Sequence, residues 1–154
     1  MAAQDDKEYT DALVLLHAGM TCFDDSAYDD AIERYSIALQ ILEKWAGLSS
    51  VSAGEHAERK GEARALYHAV LALRGDAYKE KGDYEAALAD YGKSIALHAT
   101  PVRSYMGRAD LYERMGDRIR AIADFQKALE LGPDMLPQYV KQCEDALKRL
   151  GTMH

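Results

Sequence analysis

The chain has 154 residues, 48% of them hydrophobic and only three of them proline, which fits one domain built mainly of helices. Its formal net charge of −7 would repel a phosphate backbone or an anionic membrane surface, so we expect neither nucleic acid nor a membrane as partner. The longest apolar run, Ala12 to Leu16, is far too short to cross a bilayer, and the first residues lack a secretory signal. We therefore expect a cytoplasmic protein.

A half-repeat centred on alanine occurs three times, over residues 28–35, 84–91 and 119–125. Ala121 follows Ala87 by 34 positions, and Ala87 follows Ala31 by 56, which is one period of 34 with an insertion of 22. A fixed period of this length is typical of stacked helical repeats, in which each unit buries its apolar face against the next one.

The period and the placing of small and aromatic residues resemble the tetratricopeptide repeat, a helix-turn-helix unit. The resemblance covers nearly the whole chain and implies an all-α fold, an α-α superhelix of about seven helices in one domain over residues 1–154. In chain order, it places repeat 1 at about 12–45, an insertion with extended helices at about 46–67, repeat 2 at about 68–101, repeat 3 at about 102–135, and a capping helix at about 136–150.

Small residues recur where the two helices of each repeat should cross. Because they let backbones approach closely while aromatic side chains fill the space beside them, we expect tight helix pairs. The positions are Gly19, Ala31, Gly75, Ala87, Ala109 and Ala121.

Turn residues mark the expected helix boundaries. Gly82 and Gly116 are expected in the left-handed conformation that ends a helix. Thr100 is predicted to cap a helix with Pro101 at its first position, and Gly132 with the following proline is predicted to end the last repeat.

The insertion contains a turn-forming stretch over residues 47–54. Ser52 and Glu55 have the spacing of a capping box, which predicts that a long helix begins just after Ser52 and continues to about Lys81, unless Gly61 interrupts it.

Catalytic and metal-binding patterns are not found in the sequence. The five histidines lack the spacing typical of metal ligands, and no glycine-rich phosphate loop or nucleophile turn is present. Cys22 and Cys143 fall on apolar helix faces near opposite ends of the chain, so we expect buried free thiols. We therefore expect no enzyme activity, no cofactor and no metal.

The resemblance implies that the first helix of each repeat builds a concave groove for a segment of another protein. The groove positions in the first repeat are apolar, whereas those in the other two are mostly charged, which predicts an apolar anchor pocket beside a polar strip. The predicted groove residues are Leu13, Leu16, Met20, Phe23, Asp76, Lys79, Arg103, Met106, Asp110 and Arg114. We expect an adaptor that binds a partner's peptide or helix.

Two alternatives remain for the apolar first-repeat residues. They could be covered by the chain itself, through the insertion or the capping helix, or they could join two copies in a homo-oligomer.

The insertion and long helices are similar to those of the immunophilin co-chaperones, which hold the acidic C-terminal tails of heat-shock proteins. That family uses a clamp of lysine, arginine and asparagine side chains. The corresponding positions here are Leu16, Met20, Leu73, Arg103 and Gly107. Since only Arg103 keeps a suitable charge, the resemblance implies that the usual clamp is incomplete. A rearranged clamp that uses Arg108 and Arg114 stays an alternative, and with it a co-chaperone that binds acidic heat-shock tails.

Overall fold

The structure, a computed structural model, describes residues 2–47, 60–98, 100–132 and 136–151. These residues form seven α-helices and no strand. The helices are α1 (Ala2–Asp24), α2 (Tyr28–Trp45), α3 (Lys60–Lys81), α4 (Tyr84–Leu97), α5 (Val102–Arg114), α6 (Arg118–Leu131) and α7 (Pro137–Arg149). Each helix packs against the next one along the chain, so the predicted all-α superhelix is confirmed.

The core is divided along the stack. One buried cluster joins α1, α2 and α3, a second joins α5, α6 and α7, and a smaller one around Tyr91 lies between them. Ala31, Ala87, Ala109 and Ala121 have no exposed surface, which confirms that the repeated alanines lie at the helix contacts. The core follows the period of the sequence because each helix pair buries the same positions.

The turns of the second and third repeats use the same two devices. Gly82 and Gly116 have φ angles of 91° and 80°, which confirms the predicted left-handed helix ends. The residue after each glycine, Asp83 or Asp117, accepts a hydrogen bond from a backbone N–H of the next helix. Each aspartate therefore caps that helix.

Three local predictions need comment. Helix α5 begins at Val102 with Pro101 as its N-cap, so Thr100 is not the cap; the Pro101 carbonyl already accepts the first helical hydrogen bond, from Tyr105 at 3.1 Å.

Cys143 is buried and free, but Cys22 is free and only partly buried, because α1 borders an open cleft there.

The described residues include only part of the predicted insertion. Helix α3 is described from Lys60 onward and includes Gly61. The predicted turn over residues 47–54 and the capping box fall largely outside the described residues.

Candidate functional site

A cavity of about 600 Å³ lies on the inner side of the stack, between the first helices of all three repeats and α7. Helix α1 contributes only its C-terminal end, α3 and α5 form the floor, and α7 forms the opposite wall. The lining residues are Phe23, Asp76, Lys79, Glu80, Val102, Arg103, Met106, Gly107, Asp110, Leu136, Tyr139 and Gln142.

Tyr91 sets the distance between the two helices of the floor. A β-carbon on Gly75 would lie 2.9 Å from the Tyr91 ring, and one on Gly107 would lie 2.6 Å from it. The ring therefore fits only because glycine is present on both α3 and α5. Its hydroxyl donates a hydrogen bond of 2.5 Å to Asp76, and burial, together with the Asp76 charge, raises the pKa of Tyr91 far above its usual value. Tyr91 therefore remains a donor that holds Asp76 in place.

Ion pairs cross the floor of the cavity. Asp76 accepts a hydrogen bond from Arg103 at 2.8 Å, and Lys79 donates to Asp110 at 2.7 Å, with Asp76 at 3.8 Å from the same ammonium. We call these four residues, Asp76, Lys79, Arg103 and Asp110, the charge belt. Because its two carboxylates face its two cations, the belt is neutral as a unit.

A further pair closes one end of the floor. Arg114 donates to Glu80 at 2.8 Å and lies 3.4 Å from Asp110. The hydrogen bond from Arg114 to Glu80 raises the pKa of this guanidinium, which therefore keeps its charge. Arg114 therefore lies beside the cavity and balances the charge of Glu80, which lines it.

Apolar side chains stand on either side of the charge belt. Phe23 packs edge-on against Tyr28, with ring centroids 5.6 Å apart, and Met106 is partly buried against the α5–α7 core. Leu136, the N-cap residue of α7, is 58% exposed, and Tyr139 on α7 is 40% exposed. Large apolar groups around a closed polar floor can receive apolar side chains of a bound segment.

The structure distributes the ten predicted groove residues over four places. Six line the cavity, namely Phe23, Asp76, Lys79, Arg103, Met106 and Asp110, and Arg114 adjoins it through its ion pairs. Leu16 packs against the first core cluster, Met20 is exposed, and Leu13 lies in a second cleft between α1 and α2. The apolar first-repeat residues therefore do not form one continuous pocket.

Sequence reasoning missed the contribution of α7, which was interpreted only as a cap. Leu136, Tyr139 and Gln142 recur every three residues and face the cavity. Only the folded chain shows which part of the apolar stripe of α7 stays uncovered.

Neither a metal-binding group nor a membrane-spanning helix is found among the described residues. No group of three or more histidine, cysteine, aspartate or glutamate side chains there could hold a metal ion. Within the same ranges, no helix combines the length and the apolar character needed to cross a bilayer.

Comparison with known families and structures agrees with the helical stack. A family model described as TPR repeat matches residues 75–116, and one described as Tetratricopeptide repeat matches residues 102–135. No curated protein matches the chain.

Two solved structures are similar to the chain. The Arabidopsis OM64 TPR domain has a TM-score of 0.69 at 20% identity, covering 93% of this chain and 96% of that one. The first TPR of Spaghetti (RPAP3), solved bound to the HSP90 peptide SRMEEVD, has a TM-score of 0.64 at 20% identity, covering 92% of this chain and 94% of that one. At this identity, the likeness concerns the fold.

Proposed function

Since the chain is a tetratricopeptide-repeat protein, and this family mediates contacts between proteins, we propose that it is an adaptor that holds a peptide or helix of a partner in the cavity between α3, α5 and α7. The family is generally non-catalytic, and the proposed role is binding without chemistry.

The observation that carries this proposal is the combination of a balanced floor and exposed apolar walls. The three cations of the floor are each paired with a carboxylate of the chain. A charged group of a ligand would therefore have to share a cation or a carboxylate of the floor with its present partner, whereas an apolar side chain would cover Leu136, Tyr139 and Met106. We infer that the bound segment contributes apolar anchors and uses its polar backbone at the belt.

An acidic heat-shock tail is the competing ligand. The similar RPAP3 domain is bound to the HSP90 peptide SRMEEVD, which motivates the comparison. In this chain, Arg103 already donates to Asp76, and the space above Gly107 is taken by the Tyr91 ring. A tail carboxylate would have to share the Arg103 guanidinium with Asp76, so it gains less than in a clamp with free cations.

The test uses randomised sixteen-residue peptides displayed on phage and selected against the wild-type protein. Enriched peptides, and SRMEEVD as a separate probe, are titrated by fluorescence anisotropy. We expect enriched peptides with large apolar residues, which bind the Leu136→Asp and Tyr139→Asp variants at least tenfold more weakly. Both side chains are exposed, so the variants should keep the melting temperature of the wild type.

Ile119→Asp is the matched control, because Ile119 is 84% exposed on α6 and does not line the cavity. The proposal is wrong if peptides bind wild type and both α7 variants equally, or if none is enriched. Tight binding of SRMEEVD instead would favour the acidic-tail ligand. A molecular mass in solution that rises with protein concentration for the wild type, but stays that of a monomer for Tyr139→Asp, would favour self-association through the cavity.

A further inference from the structure

The space between the two helices of the second repeat is filled by three side chains. The Arg74 guanidinium makes two hydrogen bonds to the Asp90 carboxylate, at 2.7 Å and 2.8 Å, and lies 5.8 Å from the centre of the Tyr78 ring. Arg74 also donates to Ser36 of the preceding repeat at 2.9 Å. We call this arrangement of arginine, tyrosine and aspartate the repeat plug.

The third repeat has the same plug, 34 residues further along. Arg108 makes two hydrogen bonds to Asp124, at 2.7 Å and 3.0 Å, and lies 5.9 Å from the centre of the Tyr112 ring. Because two repeats build it from the same residue types at the same positions, the plug is the regular way in which this chain closes a helix pair.

The first repeat lacks the plug at all three positions. The residues 56 positions before Arg74, Tyr78 and Asp90 are Ala18, Cys22 and Arg34. Two large side chains are thus replaced by small ones, and the carboxylate is replaced by a guanidinium. An open cleft of about 680 Å³ lies at this place, and all three replacement residues line it.

Among the described residues, Arg34 faces this cleft without a carboxylate partner. Its Nε donates to the sulfur of Cys22 at 3.2 Å, a weak acceptor. Asp30 and Glu33 precede it on α2, but in the part of the chain that the structure describes no carboxylate oxygen forms an ion pair with it within 4.0 Å. The Arg34 guanidinium can therefore form charge-assisted hydrogen bonds with a carboxylate of another molecule.

The wall of the cleft is apolar and has the form of a helix face. Leu13 is 39% exposed and Val14 is 62% exposed, and the lining residues of α1 extend from position 10 to position 22. At 1.5 Å per residue, this face is about 18 Å long, which corresponds to about three turns of a partner helix. A row of apolar residues over such a length fits an amphipathic helix better than a small molecule.

We propose that the cleft between α1 and α2 binds a helical segment of another protein that presents one acidic side chain among apolar ones. The partner carboxylate bonds the Arg34 guanidinium and so supplies the acidic member that the plugs of the other repeats contain. The apolar residues of the segment cover Leu13 and Val14. This surface is separate from the cavity beside α7, and the proposal does not depend on that cavity.

The test starts from randomised peptides on phage, depleted on the Arg34→Gln protein and then selected on the wild-type protein. We expect the survivors to share one aspartate or glutamate flanked by aliphatic residues at helical spacing. In anisotropy titrations, Arg34→Gln in the protein and Glu→Gln in the peptide should each weaken Kd about tenfold. Together they should weaken it little further, since both changes remove the same contact.

Three variants complete the design. Val14→Asp should weaken binding through the apolar wall, whereas Arg64→Gln, an exposed arginine on α3, and Tyr139→Asp, in the other cavity, should have no effect. All are surface changes, and a thermal melt checks their folding. The proposal is overturned if no peptide survives depletion, if the survivors lack an acidic residue, or if the Arg34 and glutamate changes add independently.

Discussion

The first and second repeats place their paired helices alike but join them with different residues. In the second repeat, Arg74, Tyr78 and Asp90 fill the space between the helices, while in the first repeat Ala18, Cys22 and Arg34 leave it open.

The turns differ in the same sense. The second repeat has Gly82 at φ 91° followed by Asp83, which caps α4. The first repeat has Ser26 at φ 61°, a conformation that costs energy for a residue with a β-carbon, followed by Ala27, which makes no side-chain cap.

The comparison indicates that one repeat of the chain can favour folding stability while another keeps a surface for binding. The second repeat pairs Arg74 with Asp90 internally and caps α4 with Asp83. The first repeat forgoes a plug, a cap and a glycine, and it keeps a surface with free hydrogen-bonding capacity. Surfaces left incomplete by the fold are where a partner can contribute most.

The largest expected effect comes from breaking the plug of the second repeat. Asp90→Ala would leave the Arg74 guanidinium partly buried without its carboxylate, and we expect a loss of about 3 kcal/mol in the free energy of unfolding. Urea denaturation measures this loss. Arg34→Ala at the equivalent position should leave the midpoint unchanged, and equal losses in the two variants would mean that the repeats do not differ as described.

The second-largest expected effect is the difference in stability that a larger side chain causes in the second and the first repeat. Ala87 is fully buried, so Ala87→Leu would push the helices of the second repeat apart and cost about 1 to 3 kcal/mol. The matched control is Ala18→Leu, whose longer side chain can enter the open cleft. An unchanged denaturation midpoint for Ala87→Leu would show that the helix contact is assigned to the wrong residues.

The pH dependence of stability should depend on a histidine pair found in the second repeat. The rings of His68 and His98 lie 3.8 Å apart, and burial, with a smaller contribution from His98, lowers the pKa of His68 to about 4. Between pH 6.5 and pH 4, the unfolded chain therefore binds a proton that folded His68 does not, and stability falls as the pH falls.

We expect His68 to account for about 1.5 kcal/mol of this fall, about half of what the full pKa shift would give, since the ring is partly exposed. Urea titrations at pH 7 and pH 4 measure it. His68→Gln should remove this part of the pH dependence, while His17→Gln, on the exposed face of α1, should not. The same slope in both variants would exclude the assignment.

The smallest expected effect is a gain from giving the first repeat the cap of the second. Ala27→Asp places a carboxylate where Asp83 caps α4, and we expect a stabilisation of about 1 kcal/mol, read as a higher melting temperature. Asp83→Ala should cause a loss of similar size. No gain at position 27 would indicate that the start of α2 is already satisfied in another way.

The parts of the fold that were predicted correctly depend on interactions between residues close in sequence. The glycines at 82 and 116 and the buried alanines follow from backbone sterics and from a fixed period, and both can be read from a short window. The predicted N-cap at Thr100 was wrong by one residue, because the start of a helix depends on which carbonyl accepts the first bond.

The candidate site was predicted less completely for a different reason. Asp76 pairs with Arg103 across 27 positions, and Lys79 pairs with Asp110 across 31. A single sequence names these charges but not their partners. The role of Tyr139 was missed for the same reason, since the apolar stripe of α7 does not reveal which of its residues the neighbouring helices leave exposed.

The helical repeat, its period and the small residues at the helix crossings could be predicted from the amino-acid order, because they depend on spacing along one chain. The folded chain was needed to show that the charges of the cavity neutralise one another, that α7 forms its wall, and that the first repeat stays open at Arg34. Those features arise between residues brought together by packing, and their free energy depends on distance and burial rather than on order along the chain.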